Sequence, residues 1–103
     1  MKKSNLKFSA AATLPAGSRA AGIVAGLKAS GKPDMAMFFS DAPAALAGTF
    51  TTNQVKAATV RLDSERVASI GVAHGIVVNS GQANACTGKQ GYRDAQTMAV
   101  HAA

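Results

Sequence analysis

The chain has no tryptophan, one tyrosine and one cysteine in 103 residues. A single cysteine, Cys86, excludes an intrachain disulfide framework and fits a reducing compartment. Aromatic residues make up only 5% of the chain, so the large side chains that usually dominate a core are scarce. Acids are scarce as well: five Asp and Glu stand against eleven Lys and Arg. They form no convincing catalytic pair, and two His with one Cys at these spacings make no zinc site. No apolar run reaches the length of a membrane span.

What is present is small and apolar. The hydrophobic share is 48%, much of it alanine, with ten glycines besides. A chain of this length is one domain at most. At about 25 cal/mol per Å² of apolar area, an Ala-rich core is a weak driver of folding. The composition therefore predicts a chain that leans on a partner surface.

The net charge of +6 is confined to the first third. Lys2, Lys3, Lys7, Arg19, Lys28 and Lys32 all precede the first acid, Asp34. Beyond it, Lys56, Arg61, Arg66, Lys89 and Arg93 balance Asp34, Asp41, Asp63, Glu65 and Asp94. A basic arm for phosphate or an acidic partner is one reading. A solvated tail with protective strand-edge lysines is the other, and it is favoured because no aromatics alternate with the charges. Phe8–Leu14 is too short and too polar for a signal-peptide core. A transit-peptide reading loses ground if the fold begins near Leu14.

Residues 1–13 read as a basic tail or a first edge strand, and 14–103 as the folded portion. Arg19–Lys28 alternates in part like a strand, with Gly22 and Gly26 marking close approach or a bend. Ser30-Gly31-Lys32-Pro33-Asp34 predicts a turn, in which Asp34 can bond the local backbone. Met35–Ser40 predicts a buried strand, broken by Asp41-Ala42-Pro43. Met35 and Met37 read as core filler. Leu46–Thr52 and Val55–Leu62 predict two further strands linked at Asn53-Gln54. Thr49, Thr51 and Thr52 are read as strand formers, since a threonine nucleophile needs an adjacent base or its own freed amine. Asp63 or Ser64 is expected to cap a short helix ended by Gly71. His74–Asn79, apolar on both sides, predicts a central strand.

The last helix carries a capping-box pattern, Thr87-Gly88-Lys89-Gln90. Tyr92, Ala95, Ala99 and Ala102 share one face, with Arg93, Asp94, Thr97 and His101 opposite. The pattern reaches the chain end with no Gly or Pro stop signal, and this predicts a chain cut short of its domain. The fold class expected is α/β, strand-rich and ending in a helix.

Asn79–Gly88 is the leading candidate for chemistry. It offers backbone N–H groups, the amides of Asn79, Gln82 and Asn84, and the hydroxyls of Ser80 and Thr87. Turn N–H groups ahead of a helix N-terminus can orient a carboxylate or shape an oxyanion site. A tight β–α connection whose amides satisfy backbone groups is the plainer reading. Gly81 and Gly88 are too far apart for a dinucleotide loop, and Gly88-Lys89-Gln90 lacks a P-loop hydroxyl. Cys86 has no evident His partner and is expected to be buried and inert.

The collinear segments Ala20–Lys28, Gly31–Asp34, Ser40–Ala45, Ala47–Asn53, Val55–Ala58 and Val77–Gly91 resemble the ornithine acetyltransferases. That family includes the bifunctional glutamate N-acetyltransferases of arginine biosynthesis. The block Asn79-Ser80-Gly81-Gln82-Ala83-Asn84-Ala85-Cys86-Thr87-Gly88 is its most specific part. The resemblance implies a layered α-β-β-α sandwich and a cytoplasmic enzyme moving acetyl from N-acetylornithine to glutamate. It implies a precursor that cleaves itself into α and β chains, assembled as α2β2. The new N-terminal threonine of the β chain would be the nucleophile. Acetyl-CoA serves some members as donor, and no other cofactor is implied. This chain would be the N-terminal portion of the α chain, inactive alone. Its partners would be the rest of that chain and the β chain. No family catalytic residue maps onto it, and Thr87-Gly88 belongs to a different motif from the family's oxyanion Thr-Gly pair. Asn79, Ser80, Gly81 and Asn84 are the residues expected to bind substrate or support the site. The rival readings are a non-catalytic module binding a small anion or carboxylate and, behind it, a basic nucleic-acid-binding domain.

Overall fold

The computed structural model describes residues 13–103. The expected basic tail, with Lys2, Lys3 and Lys7, lies outside them except for Thr13, which is exposed coil. Three strands and two helices follow: β1 (Ser18–Ile23), β2 (Met35–Ala45), α1 (Ala58–Ser69), β3 (Val72–Asn79) and α2 (Gly88–Ala102). The α/β class holds. The strands form one antiparallel sheet in the order β1-β2-β3.

This order corrects the expectation for β3. Among the described residues the central strand is β2, and β3 lies at an edge. Apolar residues on both sides of a strand report which faces are meant to be covered, not how many neighbours it pairs with. The Met35–Ser40 stretch is half-buried rather than buried, with Phe38 47% exposed.

The expected break at Asp41-Ala42-Pro43 does not end the strand. β2 runs on to Ala45, and its register with β3 shifts between Phe39 and Ala44. Phe39 pairs with Gly75, and Ala44 resumes with Ala73. Pro43 falls inside this irregular segment, where its missing N–H removes no ladder bond.

Helix α1 is the larger correction. Val55–Leu62 is not a strand; the helix starts at Ala58. Thr59 and Val60 favour strand locally, but Ala58 and Leu62 lie one turn apart and are buried with Ala95 of α2. Helix–helix burial overrides the propensity of two β-branched residues. Asp63 and Ser64 therefore sit within the helix, and the Ser64 hydroxyl donates to the Arg61 carbonyl. Gly71, at φ +71, ends the helix as expected. Leu46–Thr52 is irregular, and Asn53 Oδ1 accepts the Val55 N–H in a local turn leading into α1.

In α2, Tyr92 and Ala99 pack on the buried Ala58, Leu62 and Ala95, and the four residues expected on the polar face are exposed. The Tyr92 hydroxyl donates to Glu65 Oε2 of α1. The capping box does not form. Thr87 makes no side-chain cap bond, and its side chain lies against Gly91. Its ψ of 1° departs from the extended value a capping residue adopts. Gln90 Nε2 donates instead to Asp94 Oδ1.

The sheet is thinly covered. On one face Met35 and Met37 of β2 and Met98 of α2 line an open apolar cleft of about 350 Å³. On the other, Ile76 and Val78 are 56% and 46% exposed. A chain poor in large side chains leaves its own sheet in need of a further surface.

Candidate functional site

The Asn79–Gly88 loop begins where β3 leaves the sheet and ends where α2 starts. Three contacts fix it. The Ser80 N–H donates to the Asp34 carbonyl at 2.8 Å, tying the loop to the start of β2. The Asn84 carbonyl accepts the Ala58 N–H at 3.2 Å. That bond satisfies one of the unpaired donors at the start of α1, where no side chain caps the helix. Inside the loop, Asn84 Nδ2 donates to Asn79 Oδ1 at 2.9 Å.

Of the expected site residues, Asn79 and Asn84 are thus brought together and half-buried. Ser80 and Gly81 lie beside them and are exposed. Gly81 has φ +94, and a Cβ there would meet Lys28 Cγ at 2.6 Å. Only glycine combines that backbone with that approach. Beyond the bond between them the paired amides retain both N–H groups of Asn79 Nδ2, the second N–H of Asn84 Nδ2 and the acceptor Asn84 Oδ1. With the start of α2 close by, the loop can present both polarities to a small polar group.

Cys86 differs from expectation. It is exposed, with φ +58, rather than buried. Its left-handed backbone is one that bulky side chains resist. His74 stacks on Phe39 with ring centroids 5.9 Å apart, and its Nδ1 lies 3.1 Å from the Ser40 carbonyl.

Sequence reasoning gave Asp34 only a local turn role, and the structure gives it more. It is 2% exposed, and both carboxylate oxygens accept backbone N–H groups. Oδ1 takes Ala25 at 2.6 Å; Oδ2 takes Leu27 at 2.6 Å and Lys28 at 2.8 Å. The N–H groups of Lys28 and Ala25 lower its pKa; burial opposes them, and the Leu27 N–H and the Lys28 charge add to the lowering. The available signal was an acid following a glycine-containing turn, at the mouth of an apolar strand.

Two of the basic residues are engaged by neighbours. Arg19 pairs with Asp41 at 2.8 Å and lies 4.9 Å from the Phe39 ring centre. Lys28 Nζ donates to the Pro33 carbonyl at 3.3 Å. Among the described residues, no group of three His, Cys, Asp or Glu could hold a metal ion, and no helix is long and apolar enough to cross a membrane.

Residues 19–103 match the model of the ArgJ family. Over 88 residues the chain is 54% identical to the arginine biosynthesis bifunctional protein ArgJ of Mycobacterium leprae, covering 84% of this chain and 21% of that protein. The ArgJ of Thermosynechococcus vestitus is 57% identical over 81 residues, covering 79% of this chain and 19% of its own length. The chain thus spans about a fifth of the curated relatives it matches. The crystal structure of Mycobacterium tuberculosis ornithine acetyltransferase complexed with ornithine superimposes with a TM-score of 0.78 at 49% identity. That match covers 82% of this chain and 44% of the solved one. The ArgJ crystal structure from Bacillus halodurans gives a TM-score of 0.76 at 41% identity over the same shares.

Proposed function

The chain belongs to the ArgJ family, and on that premise we propose that it is the N-terminal part of an acetyltransferase of arginine biosynthesis. The parent enzyme moves acetyl from N-acetylornithine to glutamate. The observation that carries this reading is the likeness, at 49% identity and a TM-score of 0.78, to an ornithine acetyltransferase solved with ornithine.

The chemistry is a two-step transfer. A threonine hydroxyl outside this chain attacks the acetyl carbonyl, its proton passing to the threonine's own freed amine. The tetrahedral intermediate expels ornithine as the amine and leaves an acetyl ester. The glutamate amine then attacks that ester and regenerates the hydroxyl. This chain contributes support rather than the nucleophile. Asn79, Ser80, Gly81 and Asn84 lie near the transfer site, orienting a substrate carboxylate or the segment that stabilises the oxyanion. The rest of the α chain and the β chain cover the open sheet surfaces, in a cytoplasmic α2β2 assembly produced by self-cleavage. Acetyl-CoA is a second donor if the parent is bifunctional.

The test is an assay of the whole protein carrying this chain, with N-acetylornithine and glutamate, following N-acetylglutamate. Turnover is expected from the whole protein and none from residues 1–103 alone. A whole protein that binds a carboxylate at this loop but transfers no acetyl would favour the non-catalytic binding module.

A further inference from the structure

Asp34 makes more connections than any turn residue near it. Through its side chain it gathers three N–H groups of the Ala25–Lys28 turn. Through its main chain it donates to the Ile23 carbonyl at 3.1 Å and accepts from the Ser80 N–H at 2.8 Å. Among the described residues, no hydrogen bond runs directly between Ala25–Lys28 and Asn79–Gly88; Asp34 is bonded to both. The two segments nevertheless touch, because Gly81 sits against Lys28 at a distance that excludes a Cβ. Displacing the turn therefore displaces the surface on which Gly81 rests.

We propose that Asp34 is a positioning residue for the acyl-transfer site: its carboxylate seats the Ala25–Lys28 turn, and the turn and the Asp34 carbonyl together set the place of Asn79–Asn84. This inference rests on the acetyltransferase reading of the same loop. A turn formed only by Gly26, Gly31 and Pro33 would have many conformations close in energy. Three charge-assisted bonds to one buried carboxylate select a single one. The carboxylate is required rather than an amide. Asparagine has one acceptor oxygen, so it can serve Ala25 or the Leu27–Lys28 pair, and it turns an N–H donor toward the other. Aspartate serves both.

The experiment compares Asp34→Asn, Asn84→Ala and the double variant in the whole protein, with N-acetylornithine and glutamate as substrates. The folded fraction is measured by near-UV circular dichroism. Folded Asp34→Asn is expected to lose roughly 10–100-fold in kcat/KM, the scale of a small misplacement of the site. In the Asn84→Ala background the same change should cost less than half as much on a logarithmic scale, because both act through one loop. Unchanged kcat/KM in folded Asp34→Asn, or full additivity with Asn84→Ala, overturns the proposal. If Asp34→Asn does not fold, Lys28→Ala decides: it keeps the Lys28 N–H on Asp34 but removes the side chain against which Gly81 rests. It should lower kcat/KM at least threefold in folded protein; no loss overturns the proposal. A wild-type protein with no acetyl transfer at all sinks the acetyltransferase reading and this inference with it. An active wild type with an indifferent Asp34→Asn sinks this inference alone.

Discussion

Asn84 Nδ2 donates to Asn79 Oδ1 at 2.9 Å, so two amides five residues apart close the loop that joins β3 to α2. The same Asn84 carries, on its carbonyl, the first N–H of α1. One residue therefore bridges the sheet and the helix pair.

Removing either amide leaves the other half-buried and without this partner. Asn79→Ala and Asn84→Ala in the whole protein should each cost roughly 1–3 kcal/mol, or about 5–150-fold in kcat/KM. Melting temperatures should change little, because the main-chain bonds of Ser80 and Asn84 remain. Steady-state kinetics on folded protein checks this. Loss of stability with normal kinetics in the folded fraction would reduce the loop to a structural connection.

Cys86 is exposed, and no hydrogen bond joins it to a base among the described residues. Cys86→Ala in the whole protein should keep most of kcat. Cys86→Gly should be tolerated equally well or better, since φ +58 suits glycine. A hundredfold fall in kcat for either folded variant would give the thiol a chemical role.

The helix pair has a very small core. Leu62 is 7% exposed between α1 and α2. Leu62→Ala should destabilise by about 2–3 kcal/mol, near the lower end for a buried leucine, because the thinly covered site can relax. Tyr92→Phe should cost less, since it removes one exposed hydrogen bond to Glu65 and keeps the ring. Denaturant melts would show the order of the two effects, and the reverse order would place the main tie in the Tyr92–Glu65 bond.

Asp34 makes stability depend on acid. Its pKa is lowered in the folded state, so between the folded value and the ordinary 3.8 the unfolded chain binds more protons. The stabilisation is complete above the ordinary value and is lost as pH falls through the folded one. Wild type should lose stability below about pH 3.8 more steeply than Asp34→Asn does. Urea midpoints between pH 2 and 6 measure the difference; parallel curves would mean that the carboxylate is not seated on those N–H groups.

Several elements were readable because local chemistry alone decides them. Gly71 stops α1, Gly26 and Gly31 take positive φ in the β1–β2 connection, and Tyr92, Ala95 and Ala99 share a face at helical spacing. The run from Ile76 to Val78 makes a strand, and the amide-rich block after it makes the loop. The family match spans residues 19–103, and this block lies within it.

What remained hidden depends on partners distant in sequence. Thr59 and Val60 enter a helix because Leu62 meets Ala95, 33 residues away. β2 continues past Pro43 because β3 accommodates the irregularity. β3 lies at an edge because no other strand among the described residues pairs with its outer side. The sequence by itself determined the family, the order of most elements and the amide-rich loop between β3 and α2. Only the tertiary structure decided that Asp34 joins that loop to the turn before β2. Turn propensity describes how one segment bends, whereas a carboxylate seated on three N–H groups exists only once the segments that supply them have been brought together.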